Sequence, residues 1–254
     1  MKGLNAQSEL LISPTDCERC YFIGENTEFK INSDPETAFS YLRWLVNSLE
    51  WRRRNNYPAD IFPEGKLLEE MQQSVQKGES EDIFTQKFFK QATAEFYNED
   101  FFQKMHALID SKISCIAKIC ADFSKLEKNW GFKVFDTYQL DLTYGGPGGS
   151  YQPYKGKVIL RMPKQPDFQQ MATKNWERLI VHEMLHIGIE ENIVKAFNLS
   201  QNEKERVVDL MTRYFTKDPY MQERGDKRMD AFVTEEAIVH NLVEAVQKGK
   251  KSLS

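Results

Sequence analysis

The chain contains the stretch LIVHEMLHIGI, from Leu179 to Ile189. This stretch holds two histidines four residues apart, and apolar residues fill nearly all of its other positions. A helix that is apolar on almost every side is typical of a protein interior. The stretch therefore predicts a buried helix that carries a few polar side chains into the core.

The polar residues of this helix have the spacing of a metal site. His182 and His186 lie on one helix face, one turn apart, so that both imidazoles can reach one tetrahedral Zn²⁺ ion. Glu183 points beside the metal, where a carboxylate can take a proton from the attacking water and pass it to a leaving amine. Buried ionisable groups without partners are costly, and metal ligation is the simplest compensation. The alternative is that ordinary hydrogen bonds satisfy both histidines.

A third protein ligand has to come from elsewhere in the chain. An extended three-histidine motif would place its last histidine six residues after His186, but that position is Asn192, so this motif is excluded. The segment that follows predicts a second helix with two early carboxylates, Glu203 and Glu205. Ser200 and Glu203 fit a reciprocal capping box, which would occupy Glu203 at the helix start. Both carboxylates are candidates at this point.

The run from His182 to Asp209 resembles the gluzincin group of zinc peptidases, the thermolysin-like clan, including uncharacterised metallopeptidases of that clan. The group pairs a His-Glu-x-x-His helix with a glutamate on a second helix, followed four residues later by an acidic residue. Here Glu205 lies 19 positions after His186 (205 − 186), a spacing usual in that group, and Asp209 lies four positions after Glu205.

The resemblance implies a role for each of these residues. His182, His186 and Glu205 would be the zinc ligands, and Glu183 would be the general base. Asp209 would orient a ligand histidine through its other ring nitrogen; a solvated helix acid is the alternative for this residue. The resemblance and the capping box together favour Glu205 over Glu203 as the third ligand.

The rest of the chain predicts an α+β fold. Apolar residues recur at helical spacing from Pro35 to about Trp130, which predicts a mainly helical N-terminal region at residues 1–125. From Phe132 to Leu142 apolar residues alternate with mostly polar ones, as in a half-buried strand. The resemblance implies that residues 126–254 form a zincin-like core, with a small sheet, the active-site helix and the helices that follow it.

Two features near the predicted sheet have alternative interpretations. The apolar run Val158–Leu160 is either an edge strand that pairs with an extended substrate or an interior strand, and the flanking Lys157 and Arg161 would suit an edge. The glycine-rich run from Gly145 to Gly149 predicts a loop, either a hairpin connection or a flexible lip over a cleft.

A peptidase of this kind also needs a donor for the developing oxyanion. His240 and Tyr214 are candidates for this donor. A helical projection of residues 230–246 places His240 away from the apolar stripe and Glu235 within it, either as a buried partner in the site or as a salt-bridged core acid.

Composition limits the partners that we expect. The 254-residue chain has a net charge of −4 and a pI near 5.7, without the concentrated basic face of a nucleic-acid-binding protein. It has no apolar run of the ~20 residues that a membrane helix requires, and its start lacks the apolar segment of a signal peptide. These features predict a soluble, cytoplasmic protein. The four cysteines predict free thiols, with a small metal or redox site at Cys17 and Cys20 as the alternative.

The sequence thus predicts zinc-dependent hydrolysis of peptide bonds, with a peptide or protein as substrate and Zn²⁺ as the sole cofactor. The alternative from another class is a non-catalytic protein, with a structural zinc site or with a zincin-derived binding module. Hydrolysis of a non-peptide amide is a third interpretation. The sequence does not indicate an oligomeric state.

Overall fold

The computed structural model describes residues 19–23, 27–54, 65–145, 148–163, 168–222 and 225–253. Over these residues the chain has an α+β fold, in which one mixed sheet packs against helices. The strands are β1 (Arg19–Ile23), β2 (Thr27–Asn32), β3 (Thr137–Tyr144), β4 (Gly148–Gln152) and β5 (Lys157–Met162). The helices are α1 (Pro35–Phe39), α2 (Leu42–Arg54), α3 (Gly65–Gln76), α4 (Glu81–Phe96), α5 (Glu99–Trp130), α6 (Phe168–Ala172), α7 (Trp176–Ile189), α8 (Gln201–Thr216), α9 (Glu235–His240) and α10 (Leu242–Leu253). A π-helical segment, Glu190–Lys195, follows α7, and a 3₁₀ segment, Lys227–Ala231, precedes α9.

The sheet has the strand order β1-β2-β3-β5-β4. The three middle strands are parallel, whereas β1 and β4 run antiparallel to their neighbours. The strand predicted by the alternation around Tyr138 is confirmed as β3, in which every residue from Leu140 to Tyr144 is buried. Burial on both faces is typical of a central parallel strand.

The run Val158–Leu160 lies in β5, between β3 and β4, so the edge-strand interpretation is wrong and the interior one is confirmed. Its charged neighbours, which suggested an edge, have partners inside the sheet layer. The Lys157 ammonium lies 2.7 Å from a carboxylate oxygen of Asp141, and Arg161 donates to the carbonyl of Gly149 at 2.5 Å.

The edge position belongs to β4, which begins inside the glycine-rich run. Gly148 and Gly149 pair with β5, so the loop prediction is wrong for these two residues, while residues 146–147 lie outside the described ranges. Glycine is depleted in strands in general, but pairing with the buried β5 fixes the backbone here in spite of that preference.

The region predicted to be mainly helical also contributes β1 and β2 to the sheet. Residue 125 lies within α5, and a single cluster of buried apolar side chains includes residues from Phe29 to Val246. The division into residues 1–125 and 126–254 stays a prediction. None of the helices in the described ranges is both long and apolar enough to cross a membrane.

The predicted buried helix is confirmed as α7. It packs against α5, α8 and the two strands β4 and β5, and every residue from Ile180 to Ile189 is buried. The helix begins after Asn175, whose side chain accepts a hydrogen bond from the backbone N–H of Arg178. Near its end, Gly188 lies directly against the ring of Phe132, and any side chain at this position would overlap that ring. This close approach fixes α7 against the core.

Candidate metal centre

The two histidines of α7 converge on one point, as their spacing predicts. The Nε2 atoms of His182 and His186 are 3.1 Å apart, and their rings are nearly perpendicular, at 82°. Both side chains are buried. The rings therefore present one nitrogen each to the same small volume.

Glu205 of α8 supplies a third donor at that volume. Its Oε2 atom lies 3.6 Å from Nε2 of His182 and 3.5 Å from Nε2 of His186. Zinc ligands at their usual bond lengths form a tetrahedron whose corners are about 3.3 Å apart. The spacing of the three donors fits that edge, so this group could hold a metal ion.

Two amides hold the Glu205 carboxylate in this position. Nε2 of Gln201 donates to its Oε1 atom at 2.5 Å, and Nε2 of Gln222 donates to Oε2 at 3.1 Å. Neither glutamine was predicted from the sequence. Gln222 comes to the site only through the fold of the segment after α8, whereas Gln201 lies four positions before Glu205 on α8, a helical spacing that could have indicated the contact.

The protonation states of His186 and Glu205 suit metal binding. Burial lowers the pKa of His186 to about 4, which leaves its imidazole neutral near pH 7. Burial raises the pKa of Glu205, but hydrogen bonds with His182 and His186 outweigh burial and bring this pKa well below its usual range. A neutral imidazole and an ionised carboxylate are the forms that ligate metals.

Glu203, the rival for the third ligand, is engaged elsewhere. The predicted capping box is confirmed, because Ser200 N–H donates to the Glu203 carboxylate at 2.7 Å and Glu203 N–H donates to the Ser200 hydroxyl at 3.3 Å. The ammonium of Lys250 also lies 3.0 Å from this carboxylate. Glu203 therefore stabilises the start of α8 and its contact with α10.

Asp209 lies behind His182, on the side away from the converging donors. Its Oδ1 atom is 3.5 Å from Nδ1 of His182, and the Thr212 hydroxyl lies 3.3 Å from the same nitrogen. Asp209 is fully buried and accepts a hydrogen bond from the backbone N–H of Gln222 at 2.7 Å. Burial raises its pKa. The arrangement allows Asp209 or Thr212 to accept the Nδ1 proton and so orient the imidazole.

Glu183 lies in the same cleft but is not among the three converging donors. Burial raises the pKa of its carboxyl group to about 7, although the nearby His182 lowers it in part. A pKa near the working pH suits a group that both takes up and returns a proton. Gly149 of β4 lies directly against this carboxyl group, and a Cβ atom there would collide with it. A glycine at this position of β4 is therefore necessary for the observed conformation of Glu183.

An open cleft of about 510 Å³ gives access to these groups. Residues of β4, β5, α7 and α8 line it. The ring of Tyr151 from β4 stacks on His186, with ring centres 4.8 Å apart and planes 6° from parallel. The Tyr151 hydroxyl lies 3.1 Å from a carboxylate oxygen of Glu190 and 3.2 Å from the ammonium of Lys204. The stacked ring fixes the imidazole plane of His186.

The two candidate oxyanion donors lie elsewhere. His240 is exposed at the end of α9, and Tyr214 packs against Phe215 and Lys217; neither lines the cleft. The projection treated residues 230–246 as one helix, which is wrong, because the helical conformation is interrupted at Asn241 between α9 and α10. For the same reason Glu235, which the projection placed in an apolar stripe, is exposed.

The cysteines take no part in the site as far as the structure describes them. Cys115 and Cys120 are free thiols on α5, as predicted. Cys17 lies outside the described residues, and so does the side chain of Cys20, so the alternative of a small site there stays a prediction.

Comparison with known proteins adds no relative to this description. No protein-family model, curated protein sequence or solved structure matches the chain.

Proposed function

We propose that this protein is a zinc-dependent peptidase in which Glu183 is the general base. One observation carries the proposal: three metal donors converge beside a buried carboxylate that is not one of them, in an open cleft. A metal activates the nucleophile, and an adjacent carboxylate of suitable pKa moves the proton. The combination fits hydrolysis better than a purely structural role.

Two imidazoles and one carboxylate are a ligand set that catalytic zinc sites use, with the fourth position left for water or substrate. When bound, zinc acts as a Lewis acid that activates water and polarises a carbonyl group. His182, His186 and Glu205 would hold the ion, and Asp209 would fix the orientation of His182.

Proton transfer falls to Glu183 in this proposal. Its carboxylate takes a proton from the attacking water and then gives it to the amine nitrogen that leaves the scissile bond. Gly149 restrains this carboxylate from the β4 side of the cleft.

A zincin-like core is part of the same proposal. An antiparallel edge strand beside the histidine helix, and a third donor on the following helix, support it. In this arrangement β4, and not β5, offers the strand edge with which an extended peptide can pair.

The alternatives make different demands on the site. A structural zinc site uses four protein ligands and leaves no open position. Among the described residues, three His, Cys, Asp or Glu side chains converge, and the cleft reaches them. A binding module and an amidase for non-peptide substrates would share this geometry and are separated from a peptidase by experiment.

The test is to incubate the zinc-loaded protein with a diverse peptide library and to identify products by mass spectrometry. We expect new peptide termini that are absent when a chelator is present. A library that stays intact with the zinc-loaded wild type would contradict peptide hydrolysis and favour the binding module or a non-peptide amide.

A further inference from the structure

Three positively charged side chains line the cleft, although the whole chain is acidic, at −4. The charged side chains among the described lining residues are Arg161, Arg178, Lys204, Glu183 and Glu205. Asp218 lies beside one of the three cations, Arg178, and balances its charge. The question is therefore which of the three cations remains able to bind an anionic group of the ligand.

Two of the three cations are already engaged with the protein. Arg178 lies 3.7 Å from a carboxylate oxygen of Asp218, and its guanidinium stacks over the ring of Tyr220 at 4.2 Å. Arg161 donates to the Gly149 carbonyl and lies over the Trp44 ring at 5.9 Å. Both guanidinium groups thus have contacts that hold them against the walls of the cleft.

Lys204 differs from them. Its ammonium contacts the hydroxyl of Tyr151 at 3.2 Å and lies 5.6 Å from the centre of that ring. In the ranges that the structure describes, no carboxylate lies within ion-pair distance of this ammonium. An ammonium group has three donors, so one hydroxyl leaves capacity for another acceptor.

The free hydrogen-bond donors of Lys204 lie close to the proposed metal ligands. It immediately precedes Glu205 on α8, and its Tyr151 partner stacks on His186. A half-buried ammonium group in a partly enclosed cleft binds a carboxylate more strongly than a fully exposed one, because water screens the pair less.

We infer that Lys204 binds a carboxylate of the substrate, so that the enzyme favours peptides with an acidic group close to the scissile bond. This inference rests on the proposed function for the scissile bond, but the binding step stands on the cleft alone. The carboxylate comes from an acidic side chain or from the free C terminus of the peptide, and the experiment separates these sources.

The test uses otherwise neutral peptides that carry one Glu at successive positions, with matching Gln peptides, each with a free or an amidated C terminus. Their affinities are measured by fluorescence anisotropy on zinc-loaded Glu183→Gln protein, so that hydrolysis does not interfere. We expect about tenfold tighter binding of Glu over Gln peptides at one position, or of free over amidated termini, the usual size for one charge-assisted hydrogen bond.

Three further variants in this background test the residue. Lys204→Gln should remove the preference, and Lys204→Arg, which keeps the charge, should retain most of it. Lys118→Gln removes the same charge from an exposed position on α5 outside the cleft and should leave the preference unchanged. Equal affinities across all peptide pairs, or a preference that survives Lys204→Gln, would overturn the inference.

Hydrolysis by the zinc-loaded wild type then separates this inference from the proposed function. If Glu and Gln peptides, and free and amidated ones, are cleaved with equal kcat/KM, the result would support a peptidase and overturn the role of Lys204. A binding preference without any cleavage would support Lys204 and contradict the peptidase.

Discussion

Replacement of Glu205 by alanine is expected to weaken zinc binding by about a hundredfold or more. Loss of a residue that only hydrogen-bonds to a metal ligand typically costs about ten- to a hundredfold, and loss of a ligand itself should cost more. The reason is that Glu205 provides one of the three donors that converge at 3.1 to 3.6 Å. Two imidazoles alone make a poor site. Competition with a chromophoric chelator measures the affinity of both wild type and variant.

Glu203→Ala is the matched control, because it removes a carboxylate two positions away on the same helix. This variant should bind zinc nearly as well as the wild type. It should lose about 1 to 2 kcal/mol of unfolding free energy, because the capping box of α8 is broken. Thermal melts of the metal-free proteins report that loss. If Glu203→Ala loses zinc and Glu205→Ala retains it, the ligand assignment is wrong.

Glu183→Gln should retain zinc and lose hydrolysis. The amide keeps the shape of the side chain but cannot accept the proton from water, and loss of a general base costs about a hundred- to ten-thousandfold in rate. The measurement is the cleavage rate of a peptide found in the library screen, at matched zinc content.

The outcome depends on zinc content and rate together. A variant that holds zinc and cleaves at the wild-type rate would remove Glu183 from the mechanism. A variant that has lost zinc would instead show that Glu183 acts as a ligand. We do not expect this, because Glu183 is not among the three donors that converge.

The centre of the fold was predictable because its pattern is local. Apolar residues around His182 and His186 define a buried helix, and helical geometry alone puts both rings on one face. The capping box at Ser200 is local in the same way, because it depends on neighbours within a few residues. The choice of Glu205, 19 positions after His186, instead rested on the resemblance to the gluzincin group.

The edge of the sheet was not predictable in the same way. Gly148 and Gly149 are residues typical of loops, and their strand conformation depends on pairing with β5. Tyr151 reaches His186 only because β4 takes this register. The strand β2 did have a local signal, since Phe29 and Ile31 alternate with charged residues and are fully buried.

The interruption between α9 and α10 was also not predictable from the sequence pattern. Projection onto one long helix cannot show that the helix is interrupted at Asn241, so the buried face assigned to Glu235 was wrong, whereas His240 is exposed, away from the apolar stripe, as the projection placed it. The polar residues that do line the cleft, such as Lys204 and Gln222, come together through the packing of α8 and the segment after it.

The metal content of the purified protein is the most direct test of a zinc site at His182, His186 and Glu205. Elemental analysis after dialysis should find close to one zinc per chain for the wild type, and much less for a variant in which His182 and His186 are both alanine. Circular dichroism should show that this variant keeps its helices. A wild type with a zinc content near zero, and with no uptake when zinc is added, would show that these residues do not form a zinc site.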